Sequence, residues 1–202
     1  MNYNFIEIGT SDFETCIHDA DDRTVGLSID PIQLYLDNLP NRKNVRKINA
    51  AISNYNGTTH VYYINPMIIK QFNLPDWYRG CNSIGQPHIT VVNGLKSFGL
   101  NPEAIITRQE IQVINIETLF KNNNVGSIDL LKVDTEGHDP VILENYIEYC
   151  DAHPKLYAKK ILFETNVLSS KTDQEMVISA LNARGYRVVE VTSDNTILEK
   201  FN

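Results

Sequence analysis

The densest chemistry in the chain lies in Asp134-Thr135-Glu136-Gly137-His138-Asp139, directly after the apolar run Ile128–Val133. Acids and a histidine together can receive a proton, orient an amine or hold a divalent cation. Asp134 and Glu136 could equally serve the N-terminus of a following helix. Glu164, in Phe163-Glu164-Thr165-Asn166, closes the next apolar run and would lie beside Asp134 in a parallel sheet. Neighbouring acids there would shift each other's pKa or share a metal. Asp30 stands 21 residues beyond Gly9 and ends another strand-like run. It is placed to accept both hydroxyls of a ribose, or to cap the helix that opens at Pro31.

Glu7-Ile8-Gly9-Thr10-Ser11-Asp12 reads as a strand end turning into a helix, with free backbone N–H groups and a glycine that lets a ligand approach. A dinucleotide fingerprint needs three glycines. Only Gly9 is present, and Asp12 would repel phosphate, so the turn suits a ligand without a pyrophosphate. His18, His60, His88 and His153 show no metal-ligand spacing, which argues against zinc. His88 is singled out because it lies in a segment of irregular pattern.

The elements that must position these groups alternate between short apolar runs and helical patterns, the mark of βαβ units and a mostly parallel sheet. Strands are expected at Phe5–Ile8, Val25–Ile29, Val45–Ile52, Thr59–Ile64, Glu110–Ile114, Ile128–Val133 and Lys160–Glu164. Helices are expected at Phe13–Ala20, after Pro31 with Ile32, Leu34, Tyr35 and Leu39 as its apolar face, at Ile116–Asn122, at Val141–Tyr149, and around Met176–Leu181 before Gly185. Tyr186–Val191 and Thr196–Phe201 flank Ser193-Asp194-Asn195, which predicts an antiparallel hairpin at the C-terminus. Residues 65–111, rich in Pro and Gly and carrying Trp77, show no sustained period and read as an irregular lid or binding insertion.

The length of 202 residues suits one domain with a substantial core. A net charge of −7 argues against a surface that tracks nucleic-acid phosphates. The cluster Arg42, Lys43, Arg46 and Lys47 reads as solvated surface. Three scattered cysteines give no disulfide framework and fit a reducing compartment. No apolar run approaches the roughly 20 residues of a membrane span, and no secretory signal opens the chain, so a cytoplasmic location is expected. The first strand begins almost at Met1, which suggests a minimal core excised from a longer chain.

Four segments in order then resemble the FkbM family of S-adenosylmethionine-dependent methyltransferases: Phe5-Ile6-Glu7-Ile8-Gly9, Ser28-Ile29-Asp30-Pro31, Asn49-Ala50-Ala51-Ile52 with Gly57, and Asp129-Leu130-Leu131-Lys132-Val133-Asp134-Thr135-Glu136-Gly137. The last is the most specific. The chain departs from the family at Ser11, where a second glycine is common. The resemblance implies a Rossmann-like class I methyltransferase fold, a mostly parallel seven-stranded sheet with an antiparallel C-terminal strand.

It also implies a site for S-adenosylmethionine, with S-adenosylhomocysteine as product. Glu7, Gly9, Thr10 and Ser11 would line the methionine part, Asp30 the ribose, Ala51 the adenine, and Asp134 the amino-acid end. The expected reaction is O-methylation of a sugar or glycan; a non-sugar natural product as acceptor, or a nicotinamide-dependent oxidoreductase, are the alternatives. Asp134, His138 and Glu164 are candidates for the base, and a metal-free route is expected. Trp77 and Tyr78 would stack on a sugar face, with Arg79, Asn82 and His88 bonding its hydroxyls.

Overall fold

A computed structural model describes residues 1–165 and 170–201; Asn166 lies outside them. β1 (Asn2–Ile8) leads into a single helical turn, α1 (Cys16–Asp19), then β2 (Gly26–Asp30), α2 (Gln33–Asn38) and β3 (Val45–Asn49). β4 (Ala51–Ile52), β5 (Gly57–Tyr63), α3 (Pro66–Gln71), a 3₁₀ turn at Asp76–Arg79 and β6 (Ser83–Ile84) follow. Next come α4 (Ile89–Ser97), α5 (Pro102–Ile105), β7 (Thr107–Ile114), α6 (Ile116–Asn122) and β8 (Ser127–Val133). The chain closes with α7 (Asp139–Ala152), a 3₁₀ turn at Pro154–Leu156, β9 (Lys160–Glu164), α8 (Lys171–Asn182), β10 (Tyr186–Val191) and β11 (Asn195–Lys200).

Seven strands form one sheet in the order β10-β11-β9-β8-β1-β2-β3. From β9 to β3 every pairing is parallel, whereas β11 runs antiparallel to both β9 and β10. The mostly parallel α/β sheet with a reversed C-terminal strand is therefore as expected. Central strands of a parallel sheet are covered on both faces and so need continuous apolar runs. Ile6 and Ile8 of β1, Leu27 and Ile29 of β2, and Leu131 and Val133 of β8 cover one face, each at most 2% exposed, while on the other Phe5 packs with Leu36, Leu39 and Val45 and the buried polar Glu7 and Ser28 interrupt the runs. Ile142, Leu143 and Tyr146 of α7 and Val177 and Leu181 of α8 complete the same core. Each fully buried aliphatic side chain contributes about 1.5–3 kcal/mol.

Chain order reverses at the middle of this sheet. β2 and β3 extend from one side of β1, and β8 and β9 from the other. The carboxyl ends of β1 and β8 thus flank the switch point, where open α/β sheets bind their ligands.

Four expectations need correction. The helix foreseen at Phe13–Ala20 shrinks to Cys16–Asp19, because Glu14 takes a positive φ that a right-handed helix does not admit. The run Val45–Ile52 breaks after Asn49, and β4 belongs to a second sheet. On α2, Leu36 is buried where Leu34 was expected, and Leu34 is exposed. Finally, residues 65–111 are regularly structured, with asparagine side chains capping two of the helices, Asn65 on α3 and Asn101 on α5.

By contacts the chain divides into two compact units, Met1–Gly57 with Val113–Asn202, and Thr58–Gln112. Within the second, β5 pairs antiparallel with β6, and Ile64, Ile69, Leu74, Tyr78, Val91, Leu95 and Ile105 form its core. Gly94 admits the Tyr78 side chain, since a Cβ there would lie 2.1 Å from the tyrosine Oη.

The basic cluster lies at the surface, with Lys43 and Arg46 exposed and Arg42 and Lys47 half-buried. Arg42 donates to the carbonyls of Ile17 and His18, Arg46 to Asn123 Oδ1, and Lys47 to the Leu39 carbonyl and Asn41 Oδ1. No helix among the described residues is long and apolar enough to cross a membrane.

Candidate functional site

The backbones that leave β1 and β8 run against each other. Ile8 pairs with Val133, and the Asp134 amide donates to the Ile8 carbonyl at 2.9 Å. Gly9 has φ +81°, and a Cβ on it would sit 1.8 Å from the Asp134 carbonyl oxygen. The glycine is therefore demanded by the neighbouring chain, a reason different from the ligand approach inferred from sequence. Five described non-glycine residues have positive φ, and three of them, Ser11, Glu14 and Glu136, lie in these two turns. Such backbone costs about 1–3 kcal/mol per residue and collects at functional sites.

The first turn does not offer the free amides expected of it at residues 9–11. Gly9 and Thr10 both donate to the Ile29 carbonyl, and Ser11 donates to Asp30 Oδ2 at 2.9 Å. Glu7, fully buried, accepts from Thr15 Oγ1, from the Cys16 amide and from Lys132 Nζ at 2.9 Å. Lys132 also donates to the Glu14 carbonyl and comes within 3.8 Å of Asp134. Burial opposes charge on this lysine, but Glu7 and Asp134 raise its pKa on balance. Glu7 and Lys132 thus tie the β1 turn to β8. The sequence signal for Lys132 is a basic residue in a run that is apolar except for it and Asp129.

Asp30 is 4% exposed. Its Oδ1 accepts from the amide of Ile32 at 2.7 Å, which braces the turn before α2 without being a side-chain cap of that helix. Its Oδ2 accepts from Ser11, which joins the ends of β1 and β2 through one carboxylate. Each oxygen has a second lone pair left for a ligand. Burial pushes its pKa up to about 7.

At the end of β8 and β9 the expected neighbours meet. One carboxylate oxygen each of Asp134, Glu136 and Glu164 lies within 4.8 Å of the others, a spacing open to a divalent cation or to a shared proton. Burial, then the charges of Glu136, Asp134 and Asp139, push the Glu164 pKa up to about 9. Burial also raises Asp134, against the pull of Lys132. Asp139 was not singled out from sequence. It is fully buried, accepting from the Thr135 amide and Oγ1 and from the Glu164 amide at 3.3 Å, and its pKa is pushed up to about 6 by burial. It thereby fixes the turn after β8 to the end of β9.

These shifts predict how stability follows pH. A buried acid whose folded pKa exceeds its unfolded value binds more protons when folded, so its contribution is full below about pH 4 and is lost as pH rises through the folded pKa. For Asp30 at about 7 and Glu164 at about 9, the melting temperature of the ligand-free chain should fall steadily from about pH 5 to about pH 9. Asp30→Asn should flatten the lower half of that slope. A melting temperature that rises with pH over this range would contradict the assignment.

His138 is half-buried at the start of α7, and burial lowers its pKa, which keeps the ring neutral near pH 7. Its Nε2 lies 3.0 Å from the Oγ of Ser53, a residue that no sequence signal marked. Ala51 is 5% exposed and packed in β4.

In the unit Thr58–Gln112, Trp77 is 45% exposed and stacks on Tyr78 with ring centroids 3.9 Å apart. Tyr78 itself is fully buried, so it has no face for an acceptor, contrary to expectation. Asn82 spends its amide on the carbonyls of Arg79 and Gly80. Arg79 is half-buried beside it. His88 caps α4 by accepting the Thr90 amide on Nδ1, which leaves Nε2–H as a donor.

Among the described residues, the arrangement in the first unit holds several carboxylates and one nearby cation, Lys132, around two converging strand ends. It suits a cationic ligand without phosphates. Neither curated proteins nor solved structures give a match to this chain. The profile of the methyltransferase FkbM domain matches residues 7–188. The chain belongs to the FkbM family of methyltransferases.

Proposed function

We propose that this methyltransferase takes its methyl group from S-adenosylmethionine at the carboxyl ends of β1, β2 and β8, in a Rossmann-like class I fold, and transfers it to a hydroxyl of a sugar or glycan. The convergence of Gly9 on the Asp134 carbonyl carries this reading, because it sets Asp134 and Asp30 on either side of one switch point. The donor bears a sulfonium and an ammonium group, and the surplus of carboxylates favours both. A pyrophosphate would meet those same acids while the amides of residues 9–11 are already engaged, which disfavours the nicotinamide alternative.

In the reaction an oxygen lone pair of the acceptor attacks the methyl carbon as the carbon–sulfur bond breaks and its electrons return to sulfur. The protein's main task is alignment of oxygen, carbon and sulfur, worth roughly 7–11 kcal/mol. The hydroxyl proton must leave, and a base contributes about 10²–10⁴-fold. Glu164, protonated near neutral pH, is better suited to donate a hydrogen bond than to serve as that base. His138, neutral with an unshared lone pair, is the better base.

We assign acceptor recognition to the open ring of Trp77, whose size and exposure suit stacking on a sugar face. A second reading is favoured by the three-carboxylate cluster, in which a divalent ion would acidify the hydroxyl. One assay separates these: methyl transfer to a panel of sugars, read by mass spectrometry, with and without EDTA. The metal-free route predicts unchanged rates in EDTA; loss restored by magnesium or manganese would establish the second reading. In the same assay Trp77→Ala should raise the acceptor KM about tenfold or more and leave donor affinity intact. Loss of donor affinity instead would place the ring with the donor.

A further inference from the structure

Ser53 and His138 are separated by 85 positions, and their side chains meet at 3.0 Å. Ser53 follows β4, is 1% exposed, and is anchored by its own amide, which donates to the Ile114 carbonyl at 3.2 Å. The His138 side chain takes no part in capping α7. Ser53 Oγ also faces Asn54 Oδ1 at 3.4 Å, and there the hydroxyl must be the donor.

A serine hydroxyl carries one proton and two lone pairs. If that proton serves Asn54 Oδ1, Oγ accepts from His138 Nε2–H and both contacts are satisfied. If it serves His138, two oxygens face each other at Asn54 with no proton between them. The first assignment leaves the neutral imidazole with its lone pair on Nδ1. Orientation of a catalytic ring through the nitrogen it does not use is how such partners act.

We propose that Ser53 is a positioning residue that holds His138 in the Nε2–H form and so makes Nδ1 the atom that receives the acceptor's proton. The catalytic part rests on the methyl-transfer reading above, while the tautomer rests on geometry alone. As the new oxygen–carbon bond forms and the carbon–sulfur bond breaks, the hydroxyl proton passes to Nδ1. The resulting imidazolium keeps donating Nε2–H to Ser53, then releases the Nδ1 proton to solvent.

The test is a long-range proton–nitrogen correlation spectrum of the imidazoles in the ¹⁵N-labelled, ligand-free full chain. His138→Gln identifies the signal among the five histidines. The expected spectrum shows Nε2 protonated and Nδ1 unprotonated. Asn54→Asp, which leaves only an acceptor beside Ser53, should preserve it. Ser53→Ala should give a mixture of tautomers and lower kcat about tenfold, part of the roughly 10²–10⁴ that a base supplies. Both KM values should change little, and Ser53→Thr should restore the rate. Protonation at Nδ1 in the parent chain, reversal in Asn54→Asp, or an unchanged spectrum in Ser53→Ala would overturn the proposal. The expected tautomer in a chain that transfers no methyl group would refute the function and leave the hydrogen-bond assignment standing.

Discussion

Gly9→Ala should abolish donor binding and destabilise the chain by about 3 kcal/mol or more. Two independent costs add up. A positive φ costs an alanine roughly 1–2 kcal/mol, and overpacking a filled site costs typically 1–3 kcal/mol. The second cost falls at its upper end here, because the atom in the way is the Asp134 carbonyl oxygen at 1.8 Å. That backbone cannot retreat freely, since the Asp134 amide is bonded to Ile8 and the next residues lead to Asp139, which bonds Thr135. Chemical denaturation reads the stability, and calorimetry with S-adenosylhomocysteine reads the binding. A variant with parental stability would show that the β1 and β8 turns do not converge as described.

Asp134→Ala should do the opposite, sparing the fold and removing the activity. The Asp134 side chain is 36% exposed, and its ion pair with Lys132 is long at 3.8 Å. Lys132 keeps Glu7 at 2.9 Å in the variant, so no buried charge is stranded. The melting temperature should therefore shift little. The rate of methyl transfer should fall about 100-fold, because the variant loses the side chain proposed to hold the amino-acid end of the donor in line. Unchanged turnover would remove Asp134 from the site, and the Asp30 and Glu164 assignments would then stand without their link.

These outcomes depend on features that the sequence displays unevenly. β8 and β9 are legible because Ile, Leu, Val and Phe fill their buried positions, and the C-terminal hairpin because turn residues mark its corner. The acids at those ends are legible for the same reason, since position after a strand is a one-dimensional property. The break after Asn49 is not, because Val45–Ile52 satisfies strand periodicity in either sheet. Nor is the loss of helix before Cys16, where tertiary contacts impose positive φ on Glu14 over an ordinary amphipathic pattern. Residues 65–111 read as irregular because their helices are short, with starts set by the side-chain caps of Asn65, His88 and Asn101 rather than by long periods.

The partners of the site residues were hidden by distance along the chain. Glu7 is engaged by Lys132 across 125 positions and Ser53 by His138 across 85. Asp139 was visible within the acidic run, yet only its buried contacts to Thr135 and Glu164 separate it from an exposed helix start. Such residues do their work through another side chain, and no local pattern reports that.

The proposed donor, a cationic nucleoside, would bind at the ends of β1, β2 and β8. Calorimetric titration of the full chain with S-adenosylhomocysteine, in parallel with NAD(H), tests this most directly. The expected result is saturable binding of S-adenosylhomocysteine at one site per chain, weakened by Asp30→Ala, and no binding of the dinucleotide. Binding of NAD(H) without S-adenosylhomocysteine would contradict it.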